Sequence, residues 1–187
     1  KKVVFDLKKI TSKKKNFANL NFKKIPNIMG ILNITPDSFS DGGKFNSTSR
    51  GIRHADQMFK SGANIIDIGG ESTRPGSKSI SEKLEWERIR KILKKISKKF
   101  PISLDTRKSK IMEKGIKLGI KIINDISGFS YDTRTLKVLK NTNIPFILQH
   151  SQGMPDRMQN RPRYKNELLD IYDFFEKKNQ SYKVIRY

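Results

Sequence analysis

Five short apolar runs in this chain each stop at side chains that can hydrogen-bond or ionise: Asn33 and Thr35, Asp67 and Glu71, Asp105, Asn124 and Asp125, and finally Gln149 and His150. Amides and carboxylates of this kind can read the polar edge of a ligand or hold a hard cation, whose ligands are oxygens. Any one of them alone reads as an ordinary strand-end cap. Five in succession point to a shared rim, because ligands of parallel α/β sheets and barrels bind at the carboxyl ends of the strands. The two histidines stand outside the pattern. His54 falls in a helical segment, and His150 has no partner at metal or triad spacing, so a solvated or packing role is expected of each. His-Glu-x-x-His and Gly-x-Ser-x-Gly are absent, which leaves zinc and acyl-serine chemistry without support.

The elements that must position these residues follow from the apolar pattern. From Ile28 to Asn33 the run is short and bounded by Pro26 and Pro36, which argues for a strand, and it breaks into the polar loop Thr35 to Gly43. Further strands are expected over 64–70, 101–106, 120–126 and 144–150. Between them lie helical spacings. Ser47 and Thr48 can cap a helix carrying Ile52, Ala55, Met58 and Phe59, which ends at Ser61-Gly62. Ser79 with Glu82 forms a capping-box pattern before the stripe Trp86, Ile89, Leu93, Ile96 and Phe100. Ile111, Met112, Gly115 and Leu118 mark a third helix, Leu136 and Leu139 a short fourth, and Leu168, Tyr172 and Phe175 one face of a fifth. Val3-Val4-Phe5 reads as a possible edge strand in a lead-in spanning 1–26, followed by one domain over 27–187.

Strands alternating with helices require parallel pairing and right-handed crossovers, so the class is α/β. An open doubly wound sheet, a miniature barrel and the first five units of a (β/α)8 barrel compete. The last is favoured: no Gly-x-Gly-x-x-Gly follows the first strand, and 187 residues are few for a closed barrel of about 250. Five units would leave the first and fifth strands as edges. The formal charge of +22 can attract any polyanion, yet lysines such as Lys60, Lys94, Lys108, Lys114 and Lys137 are spread over the helices and read as solvated faces. No specific nucleic-acid binding is expected. With no cysteine and no apolar run near the ~18 residues of a membrane span, a cytoplasmic, membrane-free protein is expected.

Four segments carry a resemblance: Gly30-Ile-Leu-Asn-Ile-Thr-Pro-Asp-Ser-Phe-Ser-Asp-Gly-Gly43, Gly69-Gly-Glu-Ser-Thr-Arg-Pro-Gly76, Ser103-Leu-Asp-Thr106 and Ile123-Asn-Asp-Ile126. In order and spacing they resemble the signature segments of the dihydropteroate synthases over residues 28–160. The resemblance implies a folate-pathway transferase on a (β/α)8 barrel, joining p-aminobenzoate to 6-hydroxymethyl-7,8-dihydropterin diphosphate with release of diphosphate. It implies Mg2+ as cofactor with Asn33 as its protein ligand, and pterin contacts from Asp105, Asn124 and Ile126. Thr73, Arg74 and Pro75 would line the second loop, with Arg74 on diphosphate and near the aminobenzoate. Asp37, Ser38, Phe39 and Asp41 would lie in a first loop that closes over the reacting centre, Phe39 on the aromatic amine and the acidic pair near the developing cation. Gln149 stands where many relatives carry a methionine beside the pterin.

The family's later Asp-Pro-Gly, Ser-Arg-Lys and Arg-x-His segments are absent from these residues. The expectation is therefore an incomplete pterin-binding barrel: a piece of a working synthase, commonly homodimeric in the family, or an inactive half-barrel with residual pterin contacts.

Overall fold

The computed structural model describes residues 26–35, 44–72, 77–152 and 163–186, together with Val4, Asn16, Ala18, Leu20 and Asn21. Strands β1 (Met29–Asn33), β2 (Ile65–Gly69), β3 (Ile102–Asp105), β4 (Ile122–Asp125) and β5 (Phe146–Leu148) alternate with helices α1 (Lys44–Lys60), α2 (Glu82–Ile96), α3 (Ser109–Lys117), α4 (Thr135–Thr142) and α5 (Glu167–Arg186). All neighbouring strands are parallel, in the order β1-β2-β3-β4-β5. A doubly wound sheet reverses its strand order part-way. This sheet does not, and it forms part of a barrel wall.

The two faces of the sheet have different fates. On one, Leu32, Ile66, Ile68, Ile102, Leu104 and Ile123 pack fully buried against Ile89, Leu93 and Ile96 of α2, Ile111 and Met112 of α3 and Leu139 of α4, forming one core. A Cβ on Gly115 would clash with Leu104 Cδ2, so α3 approaches β3 this closely because residue 115 has no side chain. Among the described residues none of the helices α1 to α5 packs on the opposite face. Its register rows are Ile31, Asp67, Ser103 and Ile122, and one level nearer the carboxyl ends Asn33, Gly69, Asp105, Asn124 and Ile147. On the outer strands of this face Ile31 is 63% and Ile147 37% exposed. At the amino ends Leu20 and Ala18 of the lead-in pack on Met29, Ile65 and Ile122.

Several local expectations shift. α2 is capped by Ser81, whose hydroxyl accepts from the Leu84 N–H at 3.2 Å, while Ser79 donates to Glu71 Oε1 instead. α1 begins at Lys44, which places Ser47 and Thr48 inside it; the turn after Lys60 uses Gly62 at φ +106°, a conformation open to glycine. On α5 the expected face is largely exposed, since Leu168 is 82% and Tyr172 46% exposed, and Phe175 touches His150 and Phe174 only at its edge. Phe174 and Tyr182 make the contacts: Phe174 meets His150 edge-on at 4.8 Å and Tyr182 meets Phe146 at 5.2 Å. Val4, the described residue of the expected edge strand, is helical and exposed. Among the described residues no helix is long and apolar enough to cross a membrane.

Candidate functional site

The helix-free face ends in one row of hydrogen-bonding side chains. Asn33, Gly69, Asp105 and Asn124 are successive partners across β1 to β4. A Cβ on Gly69 would lie 3.2 Å from Asp105 Oδ2 and 3.5 Å from Asn33 Oδ1, so the absence of a side chain at 69 lets the amide and the carboxylate share the space above β2. Asn33 is exposed, Asp105 and Asn124 are half-buried, and Ile126 follows half-buried in the turn after β4. Three of the residues expected to bind substrate or metal are thereby brought together in one row, with the fourth just beyond it.

The row is less anionic than its residue types suggest. Burial, reinforced by the carboxylates of Asp67, Glu85, Asp125 and Glu71, pushes the Asp105 pKa up to about 8. Asp67 lies one level deeper, 6% exposed, and accepts a hydrogen bond from Asn124 Nδ2 at 3.1 Å. Its pKa too is raised by burial, against the opposing pull of Ser103 and Asn124. Ser103 is the register partner of Asp67 on β3, and its hydroxyl is the group beside Asp67 on that side. A ligand presenting two N–H donors to Asp105 favours its ionised form and draws its proton off.

Behind the second loop lies a buried ionic cluster. Glu71 accepts from Arg107 Nε at 2.8 Å, from the Ile80 N–H at 2.8 Å and from Lys108 Nζ at 3.0 Å, and these partners outweigh burial and lower its pKa. Lys108 Nζ also donates to Glu85 at 2.6 Å, and Thr106 Oγ1 donates to the same carboxylate at 2.6 Å. Arg107 stacks over Tyr131, 4.2 Å from the ring centroid. Lys108 is therefore not one of the solvated lysines; it is buried, and the reason is the pair of carboxylates that need it. Arg107, Lys108 and Glu85 escaped sequence reasoning. Glu85 carried a signal all the same, because it continues the stripe of Ile89, Ile92, Leu93 and Ile96 toward the helix start, where a charge is buried only with a partner.

Other candidates leave the row. Asp125 turns to the helix side, where Oδ1 accepts from the backbone N–H and hydroxyl of Ser127 at 2.8 and 2.7 Å. His150 packs among Tyr164, Phe174 and Phe175, and His54 is exposed on α1. Asp37, Ser38, Phe39, Asp41, Thr73, Arg74 and Pro75 lie outside the described residues. Among the described residues no group of three His, Cys, Asp or Glu side chains is placed to hold a metal.

The family model described as pterin binding enzyme matches residues 29–185. The chain belongs to that family. Among curated pterin-binding enzymes it is 45% identical over 143 residues to the dihydropteroate synthase of Bacillus subtilis, covering 75% of this chain and 50% of that one. With the dihydropteroate synthase of Clostridium beijerinckii the figures are 44% over 165 residues, 87% and 57%. The chain thus spans about half the length of the curated relatives it matches. Its fold superposes on a dihydropteroate synthase from Clostridium difficile, solved in the presence of pteroic acid, with a TM-score of 0.81 at 36% identity, over 88% of this chain and 61% of that one. That pterin-binding enzyme shares the parallel wall and the helices behind it.

Proposed function

We propose that these residues form the pterin-side wall of a dihydropteroate synthase, which condenses p-aminobenzoate with 6-hydroxymethyl-7,8-dihydropterin diphosphate and releases diphosphate. The observation that carries this reading is the row Asn33, Gly69, Asp105, Asn124 on the helix-free face. A pterin presents an amide N–H beside an amino group, and one carboxylate, Asp105, can accept both, while the Asn124 amide reads adjacent ring heteroatoms. Pteroic acid, present with the Clostridium difficile relative, is a pterin already joined to aminobenzoate, which supports a site for both substrates side by side.

In the reaction the aminobenzoate nitrogen bonds to the pterin methylene carbon, the carbon–oxygen bond to diphosphate breaks, and the amine gives up a proton. Asp105 and Asn124 hold the ring while this happens. Asn33 suits Mg2+, because its exposed side-chain oxygen beside Asp105 is a neutral hard donor and this ion takes few protein ligands when it travels with a phosphate. When bound, the ion would supply charge neutralisation on the leaving diphosphate. Arg74 would add a bidentate contact to the same anion, Thr73 and Pro75 would flank the aminobenzoate, and Asp37, Phe39 and Asp41 would close over the reacting carbon. The same reading implies a cytoplasmic enzyme with small-molecule substrates that pairs as a homodimer.

Mixing the chain with both substrates and Mg2+ tests the proposal: diphosphate and dihydropteroate should appear together and disappear in Asp105→Ala. A second reading, a wall that binds pterin without turnover, is favoured by the open helix-free face with Ile31 and Ile147 exposed. Pterin binding without diphosphate release would select it, and absence of both would overturn each.

A further inference from the structure

Asp67 is a buried carboxylate one register level beneath the row on the same face, and one of its oxygens engages a residue of the row. The Asn124 Nδ2 atom donates to Asp67 Oδ2 at 3.1 Å, and Asp67 sits one register level below Gly69, at 6% exposure. The Asp67 oxygen that meets Asn124 accepts, so it admits one orientation of the amide. Turned over, Asn124 would set its carbonyl oxygen against a carboxylate oxygen, two acceptors face to face. With one N–H engaged below, Asn124 keeps its second N–H and its carbonyl oxygen for a ligand, a donor and an acceptor in fixed order. Ser103, the register partner of Asp67 on β3, places a hydroxyl beside the same carboxylate, so Asp67 is held from one side by Ser103 and from the other by Asn124.

We infer that Asp67 is a positioning residue of the pterin site, locking the Asn124 amide so that it meets a heterocycle edge where a ring nitrogen adjoins an N–H. This rests on the pterin reading above. The lock is a single buried hydrogen bond, reaching across from β2 to β4 under Asp105. Asp67→Asn keeps the shape and releases the lock, because a neutral amide pairs with either orientation of Asn124.

A double-mutant cycle with 6-hydroxymethylpterin as probe tests this, with a thermal melt of each variant to show that it folds. D67N should bind about ten-fold more weakly, a change of one decade in Kd. N124A should lose at least as much, and D67N/N124A no more than N124A alone, because Asp67 acts through Asn124. Losses that multiply in the double variant would overturn the inference, since a merely structural Asp67 would weaken binding independently. Side-chain amide spectra give a ligand-free arm. One Asn124 Nδ2 proton should be downfield and slow to exchange, and should lose both properties in D67N; an unchanged pair of resonances overturns the inference. A parent protein that binds no pterin overturns the pterin reading, and the amide resonances then decide whether Asp67 locks Asn124.

Discussion

Asp105 is asked to do two things that depend on pH in opposite senses. Its pKa in the folded chain is about 8, above the 3.8 of an ordinary aspartate, so between those values the folded state holds a proton that the unfolded state has released. Stability must therefore fall as pH rises through that window, since stability rises with pH only where the unfolded state binds more protons. Asp105→Asn removes this titration. Melting temperatures measured from pH 4 to pH 8 should show the variant gaining on the parent throughout, and parallel curves would refute the assignment. Ligand binding runs the other way, because two N–H donors need the ionised carboxylate. Pterin affinity should rise with pH, by up to about ten-fold per unit below the pKa, and level off above pH 8. Titration by fluorescence at fixed ionic strength would show it, and a flat profile would mean that Asp105 is not the acceptor.

At the scale of elements, the second loop is tied to helix α2 by two cations, Arg88, which donates to the Gly70 carbonyl at 2.8 Å, and Lys108. Lys108 bridges Glu71 at the end of β2 to Glu85 on α2, with side-chain exposures of 3%, 7% and 0%. Lys108→Met would leave Glu85 buried without its cation while Glu71 keeps Arg107, and removing one partner of a buried ion pair costs about 3 to 5 kcal/mol. Urea unfolding of the variant should show that loss, and Glu85→Gln in the same background should recover part of it by removing the stranded charge. The contrast between this cluster and the strands explains what could be read in advance. Runs such as Ile65-Ile66 and Ile122-Ile123 declare buried strands because their apolar character is local, and the rim residues follow from where each run stops. Lys108 is indistinguishable in sequence from Lys110, which is 55% exposed, because its burial depends on carboxylates 23 and 37 positions away. The face of α5 was unreadable for the same reason: Leu168 and Phe174 are equally apolar, and only the position of His150 decides which one packs.

For the whole molecule, two surfaces set its behaviour in solution. The net charge of +22 predicts loose attraction to any polyanion, and retention on DNA that is lost by roughly 0.2 M salt would mark it as non-specific. The helix-free face instead predicts association through apolar contact at Ile31 and Ile147. Substituting both with lysine should lower light scattering at a given concentration and leave the cooperative melt in place, because neither side chain belongs to the core between sheet and helices. A melt that collapses would show that this face contributes to the fold itself.

The strand order β1-β2-β3-β4-β5 also says how such a chain can be made. Each strand from β2 to β5 pairs with the strand of the unit before it, so these four pairings need no distant segment, and their loop-closure distances stay the length of one unit. The wall can lengthen by one strand as each unit emerges from the ribosome, with the helix just formed already covering the strand behind it.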